Sequence, residues 1–262
     1  MSLTPPQNAW QHCRVDLIPD GAFPRIVIAD TPAPESKPLI DAAWERMRGA
    51  NPRLFNGPVL AFVSYDPGSV TLTARRDCYK HLTVQPEIDT GLTQLSVTAI
   101  LVANDHAGEP HVFFGRRGEQ TRIYGGMWEL GPSGGIDCPP KSESEMDHID
   151  LWANLRNEIT EELGLNVALP IGSTATGLGA TRTIQPVALC HDPFANSLDV
   201  CYRVELTTLV EDLIAASERD VTWEYPQSRW IPTAQINAFD SASGEAIIPP
   251  TRALLNTEAL AT

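Results

Sequence analysis

The sequence predicts an α/β chain in two parts, a small α+β region over 1–91 and a larger domain over 92–262. Three observations lead there. The chain has 262 residues, enough for a sizeable core and for two domains. Segments of strand character lie on both sides of one strongly amphipathic helical segment, 144–164. The first part carries its own helix and strand pair before strand character resumes at 92.

Taken in order, residues 10–28 alternate polar and apolar groups, and RIVIAD at 25–30 reads as a short strand. TPAPESKPL is Pro-rich and reads as a loop. DAAWERMRGA at 41–50 has helical rhythm, with Trp44, Met47 and Arg48 able to share a side. Asn-Pro and Gly-Pro in NPRLFNGPVL break that helix. VLAFVSYDPGSVTLTARRDCY reads as two strands around a DPG turn. Residues 92–117 suit a hairpin around NDHAGE, and the Gly- and Pro-rich stretch 118–140 reads mostly as loop. After the 144–164 helix, NVALPIG, TIQPVALCHD and LDVCYRVELT supply further strands. VEDLIAASE suits a short helix, SRWIP a strand end, TAQINAF a helical segment and PPTRALLNTEAL a last helix.

The formal net charge of −14 disfavours nonspecific attachment to nucleic acid or anionic membranes. Any phosphorylated substrate then needs local Arg and metal ions to offset the field. The five Cys match neither a disulfide framework nor a zinc site, so reduced thiols are expected. MSLTPPQNAW has no basic region or apolar run of signal length, and no apolar stretch reaches membrane-spanning length. A cytoplasmic location is the expectation.

The stretch RNEITEELGL, 156–165, packs Glu158, Glu161 and Glu162 into five positions before a closing Gly. On a helix, Glu162 falls about 40° from Glu158, and Glu161 about 60° to its other side. Trp152, Leu155, Ile159 and Leu163 form the adjoining apolar stripe, so the acids lie on the edge of the packed face. Acids near a helix C-terminus are unfavourable, and Glu158 and Glu162 repel at i,i+4. A divalent cation offsets both costs, and oxygen ligands suit Mg²⁺ or Mn²⁺. A plain solvated face is the other reading of the spacing.

The segment resembles the Nudix hydrolase signature, G-x5-E-x7-R-E-U-x-E-E-x-G-U with U bulky and apolar. Glu158, Ile159, Glu161, Glu162, Gly164 and Leu165 match its last part. MWELGPSGG at 127–135 looks like the strand and glycine turn that precede the helix, and RWIP like the strand before the final helix. The resemblance implies an α/β/α sandwich with a mixed sheet. It implies Glu158, Glu161 and Glu162 as catalytic residues and as ligands of Mg²⁺, with Mn²⁺ as the other candidate. The implied reaction is attack of water on a diphosphate. Two departures stand out. Asn157 occupies the motif's Arg position, and Arg156 points almost opposite the acids. The glycine turn Gly134-Gly135 lies eight or nine residues before the expected Gly position, which falls at Glu143. Glu143 or Glu145 could then supply the signature's first Glu, whose own slot is Ile149.

NPRLFNGPVL and YDPGSVTL resemble the extension of the UDP-sugar-hydrolysing Nudix branch, through Trp44, Arg53, Leu54, Phe55, Asn56 and Gly57. That resemblance implies cleavage of UDP-glucose or UDP-galactose to UMP and hexose 1-phosphate, and a possible homodimer. Other expectations are a different nucleoside diphosphate such as ADP-ribose, or a catalytically weak nucleotide-sugar-binding module. Candidate substrate contacts are Arg53, Asn56, Arg116, Tyr124, Gly134, Gly135, Arg182, Gln185 and Asp199. Arg116 and Arg117 suit either an offset to phosphate charge or a plain surface pair, Arg122 with Tyr124 could line the pocket, and Trp128 fits the core.

Overall fold

In a computed structural model of the chain the described residues are 5–6, 8–33, 37–139, 149–167, 181–217, 222–242 and 246–260. Their strands form one mixed, curled sheet with helices on both faces, an α/β/α arrangement. Among the described residues no helix is long and apolar enough to cross a membrane.

The spine is β5 (Gln94–Asn104), whose interior is buried throughout. Along one edge it pairs in parallel with β10 (Ser197–Leu206). Along the other it meets three strands in turn: β3 (Pro58–Asp66) at Gln94, β8 (Ser133–Gly135) at Ser96–Thr98, and β6 (Pro110–Arg116) at Val102–Asn104. Beyond β10 lies β9 (Thr181–Asp192), then β1 (Arg14–Leu17). Beyond β3 lie β4 (Thr71–Cys78) and β2 (Arg25–Ile28). On β6 sit β7 (Trp128–Leu130) and β11 (Gln227–Pro232). The expected DPG and NDHAGE hairpins are therefore β3–β4 and β5–β6. Within 118–140, β7 falls where MWEL resembles a strand, while β8 occupies the expected glycine turn and is too short to show periodicity.

One face is covered by α3 (Leu151–Leu163). Leu151, Leu155 and Ile159 pack there with Leu95, Val97, Leu189 and Val200. The same cluster includes Ile26, Leu60, Leu72 and Ala74 from the first 91 residues, and β1 joins β9. Asp150 caps the start of α3, accepting from the Ala153 N–H at 3.0 Å. Gly164 ends it in the left-handed region (φ 66°), donating to the Thr160 carbonyl at 3.0 Å, as a C-terminal glycine allows. The expected helix began at 144; residues 149–150 precede the helix, and 144–148 lie outside the described residues. The opposite face is covered by α5 (Ile236–Ala242) and α6 (Pro249–Leu255), whose Ile236, Phe239 and Leu254 pack on Ile100, Phe114 and Trp128. Trp128 is thus in the core, as expected. In the N-terminal part α1 (Pro38–Ala50) packs through Ile40, Ala43 and Trp44 on Val84 of α2 (Tyr79–Val84). The remaining helix is α4 (Val210–Ser217).

Candidate functional site

The packing of α3 decides where its acids go. With Leu155 and Ile159 fully buried, Glu158 is drawn against the sheet edge and half-buried, and Glu162 one turn later is half-buried as well. Glu161 is exposed. The Glu158 carboxylate lies directly on Gly134 of β8, where any Cβ would overlap it. A side chain at 134 would therefore have to displace the carboxylate, and no left-handed backbone calls for glycine there. The glycine turn and the motif helix, read as separate pieces of sequence, meet at this contact.

Electrostatics around these acids is unfavourable to charge. Burial, then Glu161, Glu224 and Asp137, push the Glu158 carboxyl up to about 7. Burial, then Glu129, Glu224 and Glu158, push Glu162 up to about 9, with Arg117 acting in the other direction. Glu224 is raised too, by burial above all, and shares a side-chain hydrogen bond with Glu162. Glu162 Oε2 is buried without a hydrogen-bond partner. An orphaned oxygen among half-neutralised carboxylates fits a hard divalent cation and its oxygen-ligand preference.

Arg117 answers the question raised by Asn157. Asn157 and Arg156 are both exposed on α3. The cation beside the acids comes instead from the end of β6: Arg117 Nη1 donates to both oxygens of Glu129 at 2.7 and 2.8 Å. The Tyr225 hydroxyl donates to Glu129 Oε1 at 2.6 Å. Glu129 lies on β7 between Trp128 and Leu130 and is 1% exposed. An acid in so apolar a strand was its sequence signal. Glu224 and Tyr225 gave none, since their neighbourhood has no periodic pattern.

Two hollows adjoin at β8. The larger, about 1180 Å³, is a cleft between the N-terminal helices and the sheet edge. Its walls include Arg53, Tyr79, Arg122, Glu158, Glu162 and Glu224. The smaller, about 190 Å³, lies between the sheet and α6, with Tyr124, Asp192, Asp199 and Thr251 in its lining. Arg117, Arg122, Glu129, Ser133, Gly134 and Gly135 belong to both. Tyr124 adopts a left-handed backbone (φ 61°), and its hydroxyl donates to Asp192 Oδ2 at 2.5 Å.

The structure thus brings together Glu158, Glu162, Arg53, Gly134 and Gly135 around the cleft, and Tyr124 and Asp199 in the adjoining cavity. Other candidates sit apart. The Asn56 side chain accepts from the Lys80 N–H at 2.8 Å. Arg116 donates to the Gly126 carbonyl at 2.9 Å and pairs with Glu119 at 3.3 Å. Arg182 and Gln185 line a different hollow with Arg203 and Glu205. Glu143 and Glu145 lie outside the described residues.

Among the described residues, Asp77, Cys78 and His81 are the one group of three whose ligand atoms lie within 4.8 Å of one another, so this group has the capacity to hold a divalent ion. Its carboxylate is already engaged. Asp77 accepts from Arg75 at 3.1 Å, from the Cys78 N–H at 2.8 Å, and bonds His81 Nδ1 at 2.7 Å. A cation there must displace these bonds beside a guanidinium. None of the three lines the cleft. All five cysteines are free, as expected.

No family model and no curated protein matches the chain. Among solved structures it is similar to a Nudix hydrolase from M. smegmatis, RenU, with 15% identity, 61% of this chain and 80% of that one covered, and a TM-score of 0.37. It is also similar to a MutT protein from Methanosarcina mazei Go1, with 17% identity, 62% and 88% covered, and a TM-score of 0.39. For DR0079 from Deinococcus radiodurans the values are 16%, 73% and 92%, and 0.40. The chain's own architecture is an α/β/α arrangement around a mixed, curled sheet, consistent with a Nudix-like sandwich.

Proposed function

We infer that the chain is a divalent-metal-dependent hydrolase of a nucleoside diphosphate derivative. The observation that carries this is the pair Glu158 and Glu162, half-buried, strained electrostatically and set against Gly134 at the head of a cleft. Glu158 and Glu162, with the exposed Glu161 acting on Glu158 from the same helix, are the residues that would hold Mg²⁺ or Mn²⁺. A bound ion would neutralise the diphosphate and lower the pKa of water. The chain's own groups do the rest. Glu162 and Glu224, both raised by burial, share a side-chain hydrogen bond beside the cleft. Arg117, fixed by Glu129, offsets part of the negative field. Arg122 and Arg53 on the cleft wall supply donors for phosphate oxygens.

The N-terminal resemblance makes UDP-glucose or UDP-galactose the first substrates to try, with ADP-ribose beside them. Arg53 on the cleft wall supports a role for the N-terminal part in holding substrate. Exposed Asn157 keeps a weakly catalytic binding module as the second reading. The test is release of phosphate-ester products from a panel of nucleoside diphosphate derivatives with Mg²⁺. Turnover of none of them would leave only the binding-module reading.

A further inference from the structure

The smaller cavity has an unusual floor. Strand register places Cys190, Asp199, Ser96 and Gly135 in one row across β9, β10, β5 and β8. Asp192, Ser197 and Gln94 form the row on one side, and Cys201, Thr98 and Ser133 the row on the other. The alternating residues Leu95, Val97, Leu198 and Val200 point into the core under α3. Over 94–98 and 197–199 the two central strands therefore alternate, polar toward α6 and apolar toward α3; further along, Ile100, Val102 and Cys201 join the apolar cluster on the α6 face. A polar face in the middle of a sheet costs free energy unless its groups are bonded.

Asp199 is the centre of this face. It lies deep in the chain yet keeps surface turned to the cavity. Its Oδ1 accepts from the Thr98 hydroxyl at 3.1 Å and its Oδ2 from the Ser197 hydroxyl at 2.8 Å. Among the described residues no Lys, Arg or His pairs with it. An ionised carboxylate has about four lone-pair sites, so two hydroxyls leave both oxygens able to accept again. Asp192 differs: Tyr124 and the Phe194 and Ala195 N–H groups already bond it. The volume also discriminates. At about 190 Å³ the cavity is below the ~300–1,000 Å³ of pockets that enclose a whole drug-sized ligand. It fits one ring system. Among the described residues β8 pairs with β5 alone, and Gly134 and Gly135 line both hollows, so a ligand seated here can extend round that strand to Glu158.

We propose that this cavity takes the nucleobase of the substrate and that Asp199 selects a base bearing an exocyclic amino group, guanine or cytosine, over uracil. This preference rests on the hydrolase reading only for the substrate's other half. A carboxylate accepts from an amino edge. Uracil turns carbonyl oxygens to either side of its single N–H, and these face a carboxylate unfavourably. UDP-sugars then rank below their amino-base counterparts.

Equilibrium binding of nucleoside monophosphates to the full chain with Mg²⁺ tests this separately from hydrolysis. The matched pairs are GMP against IMP and CMP against UMP, each differing in the amino group. The expected result is at least ten-fold tighter binding of the amino-bearing member in one pair or both. Asp199→Asn, which turns one acceptor into a donor, should shrink that ratio to below three-fold. Equal binding within both pairs, tighter binding of IMP or UMP, no binding of any nucleotide, or an unchanged ratio in a folded Asp199→Asn protein each overturns the proposal. The wild-type pairs decide the matter even if the variant does not fold. Loss of turnover with the binding preference intact would instead count against the hydrolase reading.

Discussion

Replacing Glu162 by glutamine separates the electrostatics of the acid cluster from any particular substrate. In the folded chain burial and the neighbouring carboxylates push Glu162 up to about 9 from an ordinary 4.5. Between those values the folded state holds a proton that the unfolded state releases. Stability from this group is therefore greatest at or below pH 4.5 and falls as pH rises toward 9, the reverse of a salt-bridged carboxylate. One extra proton in the folded state is worth about 1.4 kcal/mol per pH unit, which bounds the loss from pH 5 to 8 at about 4 kcal/mol. The hydrogen bond with Glu224 and partial solvent contact reduce this to an expected ~1–2 kcal/mol, or ~2–8 °C in Tm for a chain of this size. Glutamine resembles the neutral acid and carries no such dependence. In metal-free buffer the wild-type Tm should fall across pH 5–8 relative to Glu162→Gln by that amount, measured by thermal denaturation followed by circular dichroism. Added Mg²⁺ should recover the wild type at pH 8 and leave the variant unchanged. Parallel Tm profiles for the two proteins, with equal responses to Mg²⁺, would refute this account of the cluster.

Further predictions follow from single contacts. Gly134→Ala should displace the Glu158 carboxylate and weaken Mg²⁺ affinity by about 10–100-fold while the fold persists, read by titration calorimetry. Glu129→Gln should destabilise the chain by ~3–5 kcal/mol in chemical denaturation, because it removes the negative charge and one of the two oxygens that accept from Arg117 Nη1. Tyr225→Phe removes the 2.6 Å hydrogen bond to the same carboxylate and should cost ~1.5–3 kcal/mol in that assay. Leu155→Ala, at a fully buried position on the packed face of α3, should cost ~2–5 kcal/mol.

The sequence was most legible where a pattern repeats. Alternation marked β3 through β6, and apolar spacing marked α3 and α1, because a buried face imposes a period on each. The wheel placed Glu158 and Glu162 at the edge of the packed face, where the structure has them half-buried. Short pieces carried no pattern of their own, and the strand at MWEL was visible only through the resemblance. Three residues of β7 or β8 show no period, and pairing with β5 and β6 decides that they are strands. Long-range partners were equally hidden. Arg117 could be seen as a cation near a glycine-rich loop, but its bond to Glu129 and its place beside Glu162 depend on how β6 and β7 pair. The polar floor around Asp199 was written in QLSVT and SLDVC. It becomes a surface only through the parallel register of β5 and β10.

The most direct test is product release from nucleoside diphosphate derivatives by wild-type and Glu162→Gln proteins, each with and without Mg²⁺. Cleavage at the diphosphate that needs the metal and disappears in the folded variant is the predicted result. Full activity in Glu162→Gln, or no turnover of any diphosphate by the wild type, would contradict it.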